Sequence, residues 1–230
     1  MTVQLHLPIR LNDAMSLDNF FPSGNKEVIS MLHNWIEDRT VGPVLFLHGI
    51  GGSGRSHLLQ AACRFISGRD GLSVYVPADQ SDITSDLISQ LDPSATVCID
   101  DFECIAGDVV WEESILEVYE RLVSGSGRLL ISALRPPSSL SMKLPDLESR
   151  LAAAHIYRIQ PLNEEDFPHA MKLRAKKRGL ELSDDVIDYI LRRAPRDSRY
   201  IFNLLDRADE AAFASKRRLT IPLLRDLEQE

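Results

Sequence analysis

The stretch Gly49-Ile50-Gly51-Gly52-Ser53-Gly54-Arg55-Ser56 holds the residue types and spacing best suited to chemistry, and that chemistry is phosphate binding. Glycines let the backbone bend until successive amides face phosphate oxygens, the start of a following helix favours an anion, and Ser56 offers a hydroxyl to Mg2+. This is a P-loop with one departure. Arg55 stands where the motif has lysine, and an arginine is a long planar fork rather than a compact point charge. The charge survives while its aim changes, which binding tolerates better than phosphoryl transfer, a reaction that depends on positioning. The expected nucleotide site therefore comprises Gly49, Gly51, Gly52, Ser53, Gly54, Arg55, Ser56 and His57, and it hydrolyses its ligand poorly. The alternative is a glycine-rich turn that binds nothing.

A second signal is Asp100-Asp101 at the end of the apolar run Ala95-Thr96-Val97-Cys98-Ile99. Behind a P-loop, one such carboxylate orients magnesium through its waters and the next positions the attacking water. Asp100 is assigned to Mg2+ and Asp101 to the water; the plainer reading is a strand running out into a turn. Ser132, at the end of the next apolar run, either senses a terminal phosphate or forms a turn.

These residues need a scaffold that brings strand ends together. Val44 to Leu47 precedes the loop as a strand, and Ser56 to Ala62 follows it as a helix. Further short buried strands are expected at 72–76, 95–99, 128–132 and 156–159. Between them, Ile115, Leu116, Val118, Tyr119 and Leu122 recur at helical spacing within 111–124. Strands alternating with helices imply right-handed crossovers and a parallel sheet flanked by helices. From Pro161 the pattern turns wholly helical, over 163–178, 183–193 and 196–214 with a short helix near the end. Gly179 is a stop signal, and Ser183 an N-cap followed by acidic residues. The resulting division is a tail at 1–12, an α/β domain at 13–160 and a small all-α domain at 161–230.

Composition narrows the function classes. The 230 residues carry a net charge of −8 and 44% hydrophobic residues, with a pI near 5.3. That balance argues against broad binding to a phosphate backbone. The basic run 172–178 continues into the acidic stretch 181–188 and reads as solvated helix surface, while Lys216-Arg217-Arg218 lacks interleaved aromatics. No stretch suits a membrane span or a signal sequence, so the expected location is cytoplasmic. Cys63, Cys98 and Cys104 lack metal-site spacing and read as reduced packing residues.

In order, the P-loop, the Asp100-Asp101 strand, the polar strand end, an arginine after a helix and the all-helical tail resemble the AAA+ ATPases. Three stretches narrow this: Gly54-Arg55-Ser56-His57-Leu58-Leu59, Cys98-Ile99-Asp100-Asp101-Phe102-Glu103-Cys104-Ile105-Ala106-Gly107 and Leu144-Pro145-Asp146-Leu147-Glu148-Ser149-Arg150-Leu151. They closely resemble the Hda family, the DnaA-homologous regulatory inactivators, and arginine in the P-loop is itself a feature of that group. The resemblance implies an α-helical lid with Arg199 at its phosphate-contacting position, ADP as the nucleotide, and Arg150 as an arginine finger reaching a neighbouring subunit. A guanidinium delivered in trans would stabilise charge on the transferred phosphoryl group. Without the resemblance, Arg150 reads as a surface partner of Glu148 or Asp146.

The stretch Gln4-Leu5-His6-Leu7-Pro8-Ile9 resembles the peptide by which such proteins dock on the DNA polymerase sliding clamp. Its glutamine suits a pocket edge and its apolar residues a groove; read alone, it is a tail or an edge strand. Together these features imply a negative regulator of replication initiation that binds nucleotide and the clamp and stimulates hydrolysis of DnaA-bound ATP. A head-to-tail contact with a second copy of the chain stays open as well. Two departures from the family are Leu134, where relatives have an acidic residue, and Ala152-Ala153-Ala154, where they have a bulkier stretch. The wall around the nucleotide base is expected near Leu17, Phe20 and Phe21. The competing readings are an autonomous ATPase acting as a loader, and a DNA-binding initiator. DnaA carries a helix-turn-helix domain after its lid whereas this sequence ends at Glu230, so direct DNA binding is not expected.

Overall fold

A computed structural model describes residues 11, 15–38, 40–195, 197–215 and 219–227. The chain divides into two compact units. One comprises Met1–Leu17 with Asn25–Gln160, and the other Asp18–Gly24 with Pro161–Glu230.

The first unit opens with α1 (Lys26–Glu37), β1 (Val44–His48), α2 (Arg55–Ser67), β2 (Ser73–Pro77), α3 (Ser85–Ser89) and β3 (Thr96–Asp100). It continues with α4 (Val109–Ser124), β4 (Arg128–Ala133), α5 (Pro145–Ala152) and β5 (His155–Arg158). The strands form one five-stranded sheet in the order β2-β3-β4-β1-β5, parallel at every pairing, with Val44 opposite Leu129 and Cys98 opposite Leu130. Runs rich in valine, isoleucine and leucine suit strands covered on both faces, and β3 and β4 are buried at every residue. Phe46, Ile99, Ile115, Ile131 and Leu147 lie in the core between sheet and helices. Because β3, β4 and β1 are neighbours, their carboxyl ends share one rim, where ligands of open α/β sheets bind.

The expectation of buried strands fails at β5. Its side chains are exposed apart from the half-buried Tyr157, because it is an edge strand paired only with β1. An apolar run does not reveal how many neighbours a strand has. α1 was not anticipated, although Val28, Leu32 and Trp35 form its buried stripe. α4 begins two residues before the expected Trp111, since the Asp108 carboxylate caps the amides of Val110 and Trp111.

In the second unit, α6 (Phe167–Lys177), α7 (Asp184–Arg193), α8 (Ser198–Ser215) and α9 (Ile221–Leu227) pack around Phe167, Met171, Ile187, Ile190, Leu204 and Leu224. The expected helix 163–178 is preceded by a separate 3-10 turn at Glu164–Asp166. Gly179 has φ +73°, and the amides of Gly179 and Leu180 return to the carbonyls of Lys176 and Ala175, a left-handed helix stop. Ser183 holds the N-cap position of α7, but its side chain makes no capping bond. The segment Asp18–Gly24 joins this unit through Ser23 Oγ donating to Asp166 Oδ2 at 2.6 Å, the Lys177–Asp18 ion pair and Phe21 stacked on His169.

One surface expectation is overturned here. Arg174 is only 7% exposed and forks onto Asp206 at 3.1 and 2.6 Å, and Arg178 meets Asp206 and Asp209. These cations therefore face acids of α8 rather than solvent. Local charge pattern cannot report partners that lie some 30 residues along the chain.

Candidate nucleotide site

The phosphate-type loop runs from the end of β1 into α2. Gly52 and Gly54 take φ values of +77° and +95°, conformations that side-chain-bearing residues rarely adopt. Gly49 is required for another reason: a Cβ there would lie 2.7 Å from both the Ile159 carbonyl oxygen and Ser53 Oγ. The Gly49 amide donates to Ala133 O, fixing the loop against the end of β4. Gly54 is the N-cap of α2 and supplies no side-chain cap, so the first amides of a 13-residue helix retain the polarity that attracts an anion. Ser53 Oγ is buried without a hydrogen-bond partner. Backbone, helix start and orphaned hydroxyl all fit a phosphate-bearing ligand.

Arg55 behaves differently from a P-loop lysine. Its side chain is 5% exposed, with Nη2 at 2.9 Å from Asp101 Oδ1 and Nη1 at 3.2 and 3.5 Å from the two Glu103 oxygens. The fork is thus occupied by carboxylates from the turn after β3. Glu103 also accepts the Leu134 amide at 3.1 Å, which ties the turn after β4 into the same cluster. Asp101 has φ +53° and ψ +46°, and its amide donates to Ser132 Oγ and Asp100 Oδ1. Burial, then the charge of Asp100, pushes the Asp101 carboxyl up to about 6, while Arg55 opposes the shift.

Asp100 is buried at the end of β3. Ser132 Oγ and the Asp101 amide donate to its Oδ1, and Tyr75 OH donates to Oδ2 at 2.7 Å. A carboxylate offers about four lone-pair sites, so most of this group's capacity is already used. Burial and the neighbouring Asp100 raise the Tyr75 phenol, keeping it a donor. Ser56 is half-buried on the first turn of α2. Ser56 and the remaining capacity of Asp100 fit a magnesium ion held largely through its own waters and phosphates. Among the described residues, no cluster of three or more His, Cys, Asp or Glu side chains forms a metal site. His57 Nε2 lies 2.8 Å from the Ser16 carbonyl.

Sequence reasoning missed Tyr75 and Glu103. Tyr75 sits on the strand next to β3, in register with Cys98, and register is invisible before the sheet is known. Glu103 lies two residues beyond Asp101, where a tight turn returns it to the loop; the acidic spacing was the available signal. Cys63 and Cys98 are buried as expected, but Cys104 is exposed, since the 3-10 turn Phe102–Cys104 buries Phe102 instead.

Residues 164–227 match the family "Hda, lid domain". The fold is similar to domain III of the Thermotoga maritima replication initiation protein DnaA (TM-score 0.72, 18% identity, 95% of this chain and 98% of that one). It is also similar to AMPPCP-bound DnaA from Aquifex aeolicus (TM-score 0.68, 22% identity, 90% and 68%) and to the Thermotoga maritima RuvB Holliday junction branch migration motor (0.63, 17%, 92% and 70%). The fold is that of DnaA domain III, and residues 164–227 match the Hda lid.

In the first unit Arg150 lies within the last turn of α5 rather than after a helix. Its partner is neither Glu148 nor Asp146. Nη2 meets Glu120 Oε1 of α4 at 2.8 Å, the guanidinium lies 5.7 Å from the Tyr119 ring centroid, and the side chain stays 35% exposed. In the second unit Arg199 is exposed on the first turn of α8, its amide donating to Asp197 Oδ1. Gln4, Leu5, Leu7, Pro8 and Ile9 lie outside the described residues. Among the described residues, no helix is long and apolar enough to cross a membrane.

Proposed function

We propose that this protein is a nucleotide-holding regulator of replication initiation that acts on DnaA. The observation that carries the reading is the state of Arg55, whose guanidinium is committed to Asp101 and Glu103. The P-loop backbone and helix start suit a bound ADP, with Mg2+ at Ser56 and Asp100. The cation that would assist phosphoryl transfer faces carboxylates, one of them Asp101, the residue expected to position the attacking water. Such a pocket holds a ligand and contributes little catalysis of its own.

The chemistry then belongs to a partner's pocket. Arg150 is partly exposed, and although its Nη1 is buried, its Nη2 is held by an exposed ion pair with Glu120, which suits a finger supplied in trans to ATP on DnaA. Ser132, at the strand end adjoining the loop, completes the protein's own nucleotide site. The Gln4 to Ile9 segment tethers the protein to the sliding clamp, and head-to-tail self-association uses the same AAA+ contact. The Hda lid match and the DnaA-like fold support this assignment.

The test is a reconstitution of ATP-charged DnaA with DNA-loaded clamp, reading the nucleotide left on DnaA. The protein should convert ATP to ADP there, Arg150→Ala should abolish conversion while preserving clamp binding, and Gln4→Ala with Leu7→Ala should remove the clamp dependence. Full conversion by Arg150→Ala would eliminate the finger.

A further inference from the structure

We infer that Glu103 makes this pocket selective for a nucleoside diphosphate over a triphosphate, by holding Arg55 away from a terminal phosphate. The inference rests on the nucleotide-binding reading above and adds its specificity-determining residue.

The argument begins with what each phosphate requires. In a P-loop, backbone amides cradle the inner phosphates, whereas the basic side chain reaches the outer ones. Here the amides and the start of α2 remain suited to that task, and Gly52 and Gly54 have the conformations it needs. The basic side chain is withdrawn. Arg55 is almost fully buried between two acids, at 2.9 Å from Asp101 and 3.2 Å from Glu103. Moving the guanidinium to an outer phosphate would leave both carboxylates uncompensated in a poorly solvated place, a strongly unfavourable change. Without that movement, the outer phosphate meets two acids whose charge exceeds the single cation between them. A diphosphate, whose two phosphates both lie within the amide cradle, avoids the share of both penalties that a γ-phosphate brings.

Glu103 rather than Asp101 is the controlling acid. Asp101 is bound into the strand-end network through its amide, which donates to Asp100 and Ser132. Glu103 enters the cluster through its side chain, and the Leu134 amide donates to its Oε2 at 3.1 Å, closer than the 3.5 Å contact from Arg55. The carboxylate is therefore an anchored counter-ion, 19% exposed. Neutralising it removes one arm of the fork and one repulsive charge together.

The experiment measures affinities of the full-length protein for ADP and for AMPPCP, each with Mg2+, by calorimetry. The wild type should favour ADP. Glu103→Gln should strengthen AMPPCP binding at least tenfold while ADP affinity changes less than threefold, and the gain should vanish in the double variant Glu103→Gln, Arg55→Ala. Arg55→Lys gives a second route, because a point charge cannot fork onto two acids; it should shift the ratio in the same direction, and it carries the test should Glu103→Gln not fold. An unchanged ratio in the folded variants, with both nucleotides still bound, overturns the role of Glu103 and leaves the nucleotide site standing. Failure of the wild type to bind either nucleotide overturns the site and this inference together.

Discussion

Arg150 Nη2 lies 2.8 Å from Glu120 Oε1, so the last turn of α5 is fastened to α4 by a pair whose side chains are 35% and 56% exposed. Exposed pairs of this kind contribute about 0–1 kcal/mol, little enough for a protein partner to displace. Glu120→Ala should therefore leave the thermal midpoint almost unchanged. In the DnaA reconstitution it should raise conversion of bound ATP about two- to fivefold at limiting protein, corresponding to about 0.4–1 kcal/mol released from the parked state. A fall in conversion would show that Glu120 presents the arginine instead of restraining it.

The two glycines at the start of the loop should respond in opposite ways. Gly49→Ala forces a Cβ to within 2.7 Å of a backbone oxygen, whereas at Gly51 nothing lies within 4 Å of the added atom. Gly49→Ala should cost about 1–3 kcal/mol in urea unfolding and lose the stabilisation conferred by ADP. Gly51→Ala should unfold like the wild type.

Glu112 is fully buried, and its carboxylate accepts the amides of Gly107, Lys143 and Leu144. It thereby fixes the entry to α5, the helix that carries Arg150. Glu112→Ala leaves these amides without their acceptor and should lower unfolding free energy by about 3 kcal/mol, with a matching loss of action on DnaA. A change under about 0.5 kcal/mol, the usual range for surface substitutions, would mean that water replaces the carboxylate.

Asp101 ties stability to pH. Its carboxyl is raised from 3.8 to about 6 in the folded chain, principally by burial. A group shifted upward favours folding fully below its unfolded value, and the contribution is lost as pH rises through the folded one. Asp101→Asn cannot ionise, so it should be more stable than the wild type at pH 8 by about 1–2 kcal/mol, with the gap closing towards pH 4. A difference independent of pH would assign the effect to packing.

The layout of strands and the P-loop were legible because they depend on local pattern: apolar runs, glycine spacing and a change to helical periodicity at Pro161. The pairing of Arg55 was not. Its identity raised the question of aim, but the answer depends on Glu103 arriving through a tight turn and on Leu134 anchoring it. Likewise Arg150 found Glu120 on a different helix instead of its own-helix neighbours Asp146 and Glu148. Arg174 was misread for the same reason, since Asp206 reaches it from α8. Contacts made across elements depend on packing angles and register that no short window of sequence contains.

The segment Asp18–Gly24 belongs with residues made far later, through Ser23 with Asp166 and Phe21 with His169. During synthesis this stretch leaves the ribosome before any of its companions exist, and must wait for the chain beyond Pro161. Cutting the gene after codon 160 would consequently strand it rather than deliver a tidy half, whereas a cut design that also removes or replaces 18–24 respects how the polypeptide is threaded.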